Sequence, residues 1–429
     1  MEISSRIPGF YKMSIEERKK YIADLFQLSE EDVKQLNDPV SLPEDIADKM
    51  IENVIGTFSL PLGLGLNFLI DGKDYVVPMA VEEPSIVASA SYIAKIVREA
   101  GGFKTEATER IMIGQIQVVG CPDFEQAKKD VLAQKDMLIE AANDAYPSLV
   151  KRGGGAEDLE VRIINEDGSK YTKMLIVHLL VNTCDAMGAN IINTMAESLA
   201  PVVEHITKGK VYLRILSNFA DRCLAKATCV IPPELLESEG FTGEEVRDGV
   251  VHAYEFAASD PYRAVTHNKG IMNGIDPVLI ATGNDWRAVE AGSHAYAARD
   301  GHYGSMTKWS VDNEGNLVGE LELPMSLGIV GGASRVHPMA KLAYKILRVE
   351  SAKELARVIV AVGLAQNLGA LKALVTDGIQ KGHMALHSRS VAMAAGATGE
   401  LVDIISKKMI EKKEIRVGYA KKLMEEYAK

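Results

Sequence analysis

The apolar and polar positions of the N-terminal region predict helices followed by a strand. Residues 14–50 have the spacing of short amphipathic helices. Ser14 and Ser29 each stand three residues before an acidic residue, which is the spacing of a capping box. A glycine-rich apolar segment at 56–70 follows, and then a strand is predicted at Tyr75–Val81.

A helix is predicted directly after the segment Glu82-Glu83-Pro84-Ser85. Apolar residues recur at helical spacing from Ile86 onward, and a pair of glycines ends the pattern. Pro84 suits the first turn of this helix because its missing N–H is not needed there. Glu83 is therefore expected at the N-terminus of a mostly apolar helix.

Residues 109–218 have a pattern of their own, in the order β-α-β-β-α-β. The predicted elements are a strand at Ile111–Val119, a helix at about Phe124–Tyr146, strands at Leu159–Ile164 and Met174–Val181 joined by a turn at Asp167-Gly168, a helix at about Met187–Ile206, and a strand at Val211–Leu216. This order is the ferredoxin-like signature. It predicts a small domain inserted between two parts of a larger one.

The rest of the chain returns to a mixed pattern, so we predict an α+β protein. Residues 1–108 and 219–375 would form the large domain, 109–218 the insertion, and 376–429 a charged helical end. Lys269–Gly274 is predicted to be a loop because it is rich in glycine and asparagine. The longest apolar stretch, Leu355–Leu371, contains polar residues and is predicted to be a buried helix rather than a membrane span.

Composition narrows the class of ligand and the compartment. The chain has 429 residues and a net charge of −11, which disfavours nucleic acid or an anionic membrane as a partner. A polyanionic ligand would need a local basic site. The four cysteines form neither a zinc spacing nor a disulfide framework, so we expect reduced thiols. The N-terminus does not have the pattern of a secretory signal, and a cytoplasmic protein is expected.

Four segments place an ionisable residue among small or polar neighbours. Their key residues are Glu83, Lys269, Asp285 and His383. Each also has an ordinary structural explanation: an acid at a helix start, a lysine in a turn, a helix cap before Trp286, and a histidine on an apolar helix. Motifs for a Rossmann site, a P-loop, a zinc protease or a serine hydrolase are absent from the sequence.

Together, these segments closely resemble the catalytic segments of 3-hydroxy-3-methylglutaryl-coenzyme A reductases. Glu52-Asn53-Val54-Ile55-Gly56 resembles that family's substrate-closing and dimer segment, and Asp185-Ala186-Met187-Gly188-Ala189-Asn190 resembles its cofactor loop. The resemblance runs from about residue 50 to 400 and is closest to the soluble bacterial and archaeal branch, class II.

The resemblance implies a four-electron reduction of the thioester to mevalonate and free coenzyme A by two nicotinamide cofactors. Lys269 would stabilise the negative charge that develops on the substrate oxygen. Glu83 would donate the proton, and Asp285 would be a second carboxylate beside the lysine. His383 would protonate the departing coenzyme A thiolate from a C-terminal flap.

The resemblance also implies binding residues. Arg263 would bind the substrate carboxylate, with Ser85, Asn218, Asn273 and Gln366 at nearby polar positions. Asp185, Met187, Gly188 and Asn190 would bind the cofactor, since a helix N-terminus accepts phosphate. Tyr146 stands where relatives that prefer NADH carry an acid, so NADPH is expected to be preferred over NADH. Tyr11 replaces a basic residue of some relatives, and Lys12 is a substitute.

Metal is not required by this chemistry, and the partners implied are HMG-CoA, coenzyme A, mevalonate and a second copy of the chain in a homodimer with shared active sites. Two other functions fit parts of the pattern. Another coenzyme A thioester enzyme, a hydrolase or acyltransferase, would release thiol without oxidising nicotinamide. A non-catalytic binding protein would not need all four ionisable residues.

Overall fold

The chain begins with helices, as its polar pattern predicts. The computed structural model describes residues 3–165, 171–376 and 378–427, and the side chains of Ala333 and 379–386 lie outside the description. After a short 3-10 turn at Phe10–Lys12 come α1 (Ile15–Leu25), α2 (Glu30–Asn37) and α3 (Glu44–Met50). Both predicted capping boxes are confirmed, with Ser14 and Ser29 accepting from the third residue of their helices.

An antiparallel hairpin, β1 (Leu62–Ile70) and β2 (Lys73–Ala80), leads into α4 (Ile86–Glu99). The strand predicted near residue 75 is confirmed. The placement of Pro84 in the first turn of the helix is wrong, because Ser85 precedes the helix with a left-handed backbone (φ 76°). A residue in that conformation cannot continue a right-handed helix, so the helix begins after it.

The middle of the chain forms an antiparallel sheet covered by helices. After β3 (Lys104–Ala107), its elements are β4 (Ile111–Val119), α5 (Phe124–Ala133), α6 (Lys135–Ala145), α7 (Pro147–Val150), β5 (Gly155–Ile164), β6 (Met174–Asn182), α8 (Ala189–Thr207) and β7 (Lys210–Ser217). The strands are ordered β5-β6-β4-β7. Numbered along the motif, the strands lie in the order 2-3-1-4, which is the order of a ferredoxin-like βαββαβ motif. The turn predicted at Asp167-Gly168 lies outside the described residues.

Two helix boundaries in this region differ from the prediction. The helix expected at about Phe124–Tyr146 is two helices, because Gln134 leaves the helical conformation between them (φ −109°, ψ 18°). Helix α8 begins after Gly188 rather than at Met187, because Gly188 has a positive φ of 98°.

The remaining elements complete a second sheet and a helical layer. They are β8 (Leu224–Ile231), a 3-10 turn at Pro233–Leu235, α9 (Gly243–Ser259), α10 (Pro261–Ala281), α11 (Trp286–Ala297), β9 (Thr307–Val311), β10 (Leu317–Pro324), α12 (Ala333–Val336), α13 (Pro338–Leu347), α14 (Ala352–Val375), α15 (Ile379–Ala394), α16 (Glu400–Glu411) and α17 (Val417–Tyr427). The sheet order is β3-β8-β10-β9, and all pairings are antiparallel.

The buried apolar side chains fall into separate cores. The largest joins residues 68–103 to 225–371, and the second is drawn from 112–223. Helix α14 crosses the first core and is buried along most of its length, as predicted. By length and composition alone it is apolar enough to cross a membrane, and 72% of that window is buried within the protein. The mixed helix and sheet class expected from the sequence is confirmed.

Candidate active site

Lys269 lies in the middle of helix α10, so the predicted loop at Lys269–Gly274 is wrong. Asp260 caps this helix by accepting from Tyr262 N at 2.8 Å, and Pro261 occupies its first position. Gly274 serves helix packing instead of a turn, because a Cβ there would lie 2.7 Å from Gln366 Cβ on α14. Close packing of two helices therefore explains the glycine that the sequence pattern assigned to a loop.

The structure brings Lys269 and Glu83 together across 186 positions of sequence. Lys269 Nζ donates to Glu83 Oε2 at 2.8 Å, and Asn273 Nδ2 lies 3.4 Å from the same oxygen, one helical turn further on. The lysine side chain is 59% exposed and the glutamate 36%. The pair is therefore accessible to a substrate.

Asp285 does not join this pair in the described structure. It caps α11 by accepting from Ala288 N at 3.2 Å, as the sequence indicated, and its ion pair is with Arg287 at 3.2 Å. Among the described ion pairs, Lys269 is linked to Glu83 alone. His383 falls within the range of α15, but its side chain lies outside the described residues. The geometry thus assembles two of the four predicted catalytic residues.

Two of the predicted substrate contacts carry a buried polar atom without a hydrogen-bond partner among the described residues. They are Ser85 Oγ and Gln366 Oε1, both named as substrate contacts by the resemblance. Ser85 also has the positive φ described above, a strained conformation that is typical of functional sites. Buried polar atoms without partners are costly, so these atoms are available to a ligand.

Arg263 and His267 lie one turn apart near the start of α10. Burial lowers the pKa of the Arg263 guanidinium. Burial, and then the charge of Arg263, lowers the pKa of His267 to about 4. His267 Nε2 is close to Thr307 Oγ1 (2.7 Å), and Asn367 Nδ2 is 3.1 Å away. The local sequence pattern does not mark this neutral histidine as an anchor of α10, apart from its position two residues before Lys269.

Asn218, the remaining substrate candidate, follows β7. Its side chain is exposed, and its carbonyl oxygen would lie 2.7 Å from a Cβ added at Gly292 of α11. The backbone of Asn218 therefore packs against the helix that Asp285 caps.

The candidate cofactor loop connects β6 to α8. Asp185 does not cap this helix, since Gly188 holds the cap position, and Asp185 Oδ1 accepts instead from Ala352 N at 2.8 Å. A Cβ at Gly188 would overlap the Thr183 side chain. The first turn of α8 thus begins with a glycine that allows close backbone approach. Asn190 is in this turn, and Tyr146 packs against the second core from between α6 and α7.

A groove of about 1050 Å³ lies between the N-terminal segment, β1 and α4. It reaches Val87 and Ala88 in the first turn of α4, close to Glu83. Its walls are largely apolar, and its basic residues are Arg6, Arg18, Lys19 and Lys95. The acidic chain therefore does contain a local site with four basic side chains, beside the helix that follows Glu83.

A family model for hydroxymethylglutaryl-coenzyme A reductase matches residues 14–388. The chain belongs to this family. The reductase is 56% identical over 423 residues to 3-hydroxy-3-methylglutaryl-coenzyme A reductase of Archaeoglobus fulgidus, covering 99% of this chain and 95% of that one. A relative from Borreliella burgdorferi is 36% identical over 396 residues, which is 91% of this chain and 87% of the relative.

Solved structures of the same enzyme class match the reductase as a whole. The class II 3-hydroxy-3-methylglutaryl-CoA reductase of Streptococcus pneumoniae, bound to NADPH in open conformations, is 45% identical with a TM-score of 0.83, covering 86% of this chain and 99% of that chain. A second structure of the Streptococcus pneumoniae enzyme is 44% identical, also with a TM-score of 0.83, and covers 98% of this chain.

Membership confirms the resemblance and decides between the alternatives. The reductase is an oxidoreductase that converts 3-hydroxy-3-methylglutaryl-CoA to mevalonate with NADPH, and the hydrolase or acyltransferase alternative is not supported. Within the described residues, no cluster of three or more His, Cys, Asp or Glu side chains could hold a metal ion. The four cysteines are free, and Cys121, Cys223 and Cys229 are buried.

Proposed function

We propose that the Glu83–Lys269 pair is the catalytic centre at which NADPH reduces the thioester. NADPH supplies one hydride to each of two successive carbonyls, first the thioester and then mevaldehyde. One molecule of substrate, two of NADPH and two protons thus give mevalonate, coenzyme A and two NADP⁺. Lys269 stabilises the oxygen that becomes negative in both steps, and this 2.8 Å contact with Glu83 is the observation that carries the proposal.

Glu83 supplies the proton to that oxygen, because its carboxyl group lies 2.8 Å from the lysine that holds the oxygen. Glu83 accepts the hydrogen bond of Lys269 in this structure, so it takes up a proton from solvent before each transfer. His383 protonates the coenzyme A thiolate, whose thiol has an ordinary pKa of about 8.5 and so leaves faster with an acid present. Asp285, at the start of α11, adds a second carboxylate once the site has closed around substrate. The C-terminal helical segment, 376–429, supplies that closure as a flap.

The substrate is held by groups on both sides of the pair. Arg263 binds its free carboxylate, and the polar positions around it are Ser85, Asn218, Asn273 and Gln366. The unpartnered buried atoms of Ser85 and Gln366 support this assignment. The basic groove beside α4 binds the phosphates of coenzyme A, with Lys12 contributing next to the exposed Tyr11.

The cofactor binds at the loop Asp185–Asn190 in the inserted domain, which we limit to 109–218, between the large-domain parts 1–108 and 219–375. Gly188 supports this role because its positive φ of 98° sets the turn from which α8 begins, and the N–H groups of a first helical turn can bind phosphate. Tyr146 carries no negative charge to repel a 2′-phosphate, and Lys151 and Arg152 follow it. We therefore propose a preference for NADPH over NADH.

Replacing Tyr146 with Asp should lower the NADPH/NADH ratio of kcat/KM by about tenfold or more, because the new carboxylate repels the 2′-phosphate. An unchanged ratio would refute the assignment.

The reaction itself is tested by following nicotinamide absorbance and free thiol together. Two NADPH should be oxidised for each thiol released, whereas thiol without oxidation would contradict the proposal.

Lys269→Met should lower kcat by about 10²–10³-fold, the usual loss for an oxyanion-stabilising donor. Lys345→Met is the matched control, since Lys345 also forms a surface ion pair, 2.6 Å from Asp32.

We also propose that the reductase is at least a homodimer with shared active sites and acts in the cytoplasm. The segment 51–58 supports the first point, because Ile55 and Phe58 are almost fully exposed on the single chain. The free cysteines support the second, since reduced thiols are usual in that compartment.

A further inference from the structure

We infer that Arg110 is a positioning residue that fixes the cofactor loop against the large domain and thereby sets the affinity for NADPH. This inference rests on the proposed role of the Asp185–Asn190 loop. Its evidence is a buried guanidinium whose contacts reach both sides of that loop.

The surroundings of Arg110 are unusual for an arginine. Its side chain is 4% exposed and sits where the chain enters β4. The guanidinium donates from Nη1 to Met325 O at 2.7 Å and to Cys223 Sγ at 2.9 Å, and from Nη2 to Leu327 O. Nε is buried without a partner. Among the described residues its partners are all neutral, so a costly buried charge is held by two carbonyls and a thiol.

These partners lie at the junction between the two largest cores. The second core is drawn from residues 112–223, so the chain enters it just after Arg110 and leaves it at Cys223. Met325 and Leu327 directly follow β10 of the other core. The Arg110 side chain thus connects three places: the point where the chain enters the second core, the point where it leaves that core, and the segment after β10.

The same residue supports one side of the cofactor loop through its backbone. Thr183 N donates to Arg110 O at 3.0 Å, and the Thr183 hydroxyl lies 3.5 Å from that oxygen. Gly188 is packed so tightly against Thr183 that a Cβ would not fit. The position of Arg110 is therefore transmitted through Thr183 to the start of α8.

The other side of the loop rests on the segment that the guanidinium binds. Met187 N would lie 2.5 Å from a Cβ added at Gly328, the residue after Leu327. Ile329 N donates to Asp185 O at 2.9 Å. The loop is thus held between the main chain of Arg110 and a segment held by its side chain.

A lysine cannot reproduce this arrangement, because its single ammonium lacks the planar fork that reaches two carbonyls. Arg110→Lys should therefore let the loop shift while the charge is kept. We expect the KM and the dissociation constant of NADPH to rise about tenfold, measured by kinetics and by quenching of tryptophan fluorescence. The KM of the thioester substrate should change by less than about twofold.

Two further variants keep the inference decidable. Cys223→Ala removes one acceptor with little change in volume and should raise the KM of NADPH by about fivefold, the effect of one lost hydrogen bond; it decides the question if Arg110→Lys does not fold. Arg222→Lys is the matched control, since the neighbouring Arg222 makes an exposed ion pair with Glu160 at 2.8 Å and should leave both KM values unchanged.

Gly188→Ala separates this inference from the proposed loop. A higher KM for NADPH in Gly188→Ala, with an unchanged value in Arg110→Lys and Cys223→Ala, would overturn the role of Arg110 and leave the loop assignment standing. Unchanged values in all three would overturn both. An equal rise of both KM values together with a lower Tm would mean that Arg110 only stabilises the fold, which also overturns the inference.

Discussion

At the scale of single residues, helix α10 carries one acidic residue of its own, Asp276, seven positions after Lys269. Asp276 lies on α10 near Glu290 of α11. Burial, followed by a hydrogen bond with Glu290 and the charge of that carboxylate, raises the pKa of Asp276 to about 8. Its Oδ1 is buried without a partner. The carboxyl group is thus protonated at neutral pH, and the contact between the two helices depends on that proton.

The sign of the resulting pH dependence follows from the raised pKa. Between about pH 4 and pH 8 the folded chain holds a proton at Asp276 that the unfolded chain has lost, so stability falls as pH rises through this range. Asp276→Asn keeps a neutral group of the same size. The free energy of unfolding should therefore fall by about 2–3 kcal/mol less between pH 6 and pH 9 in this variant than in the parent chain.

Denaturant titrations at the two pH values measure this difference. Asp24→Asn, on the exposed side of α1, is a suitable control that should follow the parent. Parallel losses of stability in the parent and in Asp276→Asn would show that Asp276 does not hold the proton.

At the scale of elements, the sequence correctly predicted the helices, strands and caps that depend on residues close together in the chain. The capping boxes of α1 and α2, the strand at 111–119 and the helix cap at Asp285 were all correct because each depends on a few neighbouring residues. Helix α10 was partly mistaken for a loop, since its glycines and asparagines are turn formers in isolation. The contact with α14 overrides that propensity, and such a contact is not visible in the local pattern.

The contacts of the site residues were likewise hard to predict, because they join segments that are far apart in the sequence. The resemblance placed Glu83 and Lys269 in one site, and the structure brings them into contact. Asp285 was expected beside Lys269 but pairs with Arg287, two residues away on its own helix. The buried anchor at His267 was missed, because a histidine on a helix has the same sequence pattern whether it binds substrate or packs in a core.

Packing between α10 and α14 gives the prediction at this scale. Gly274→Ala would place a Cβ 2.7 Å from Gln366 Cβ and 3.0 Å from Val362 O, so the helices must move apart. We expect a loss of about 1–3 kcal/mol in the free energy of unfolding. Turnover should fall as well, because Asn273 and Gln366 would be displaced; thermal denaturation and kcat measure the two effects.

Gly270→Ala is the matched control on the same helix. A Cβ at Gly270 would meet nothing within 4 Å, so alanine should raise stability by up to about 1 kcal/mol through its helix propensity. Equal destabilisation by the two substitutions would contradict the packing explanation and point to a backbone requirement shared by both glycines.

At the scale of the whole molecule, charge and apolar surface are distributed unevenly. The net charge is −11, yet the largely apolar groove beside α4 carries four basic residues, so an anionic ligand is drawn to one place on a generally repelling surface. The segment before β1 shows the opposite feature, an apolar surface with no cover on the single chain. Both features suit an active site completed by a second copy of the protein.

The exposed apolar segment therefore predicts the state of assembly. Ile55 and Phe58 are 103% and 93% exposed, which is costly for side chains of this size unless another surface covers them. Ile55→Asp combined with Phe58→Asp should reduce the molar mass measured by light scattering to that of one chain. Activity should fall with it, because the resemblance places part of each site on the partner. Leu132→Asp, a partly exposed leucine on α5, should leave both unchanged. An unaltered mass with full activity in the double variant would mean that segment 51–58 neither joins the chains nor closes the site.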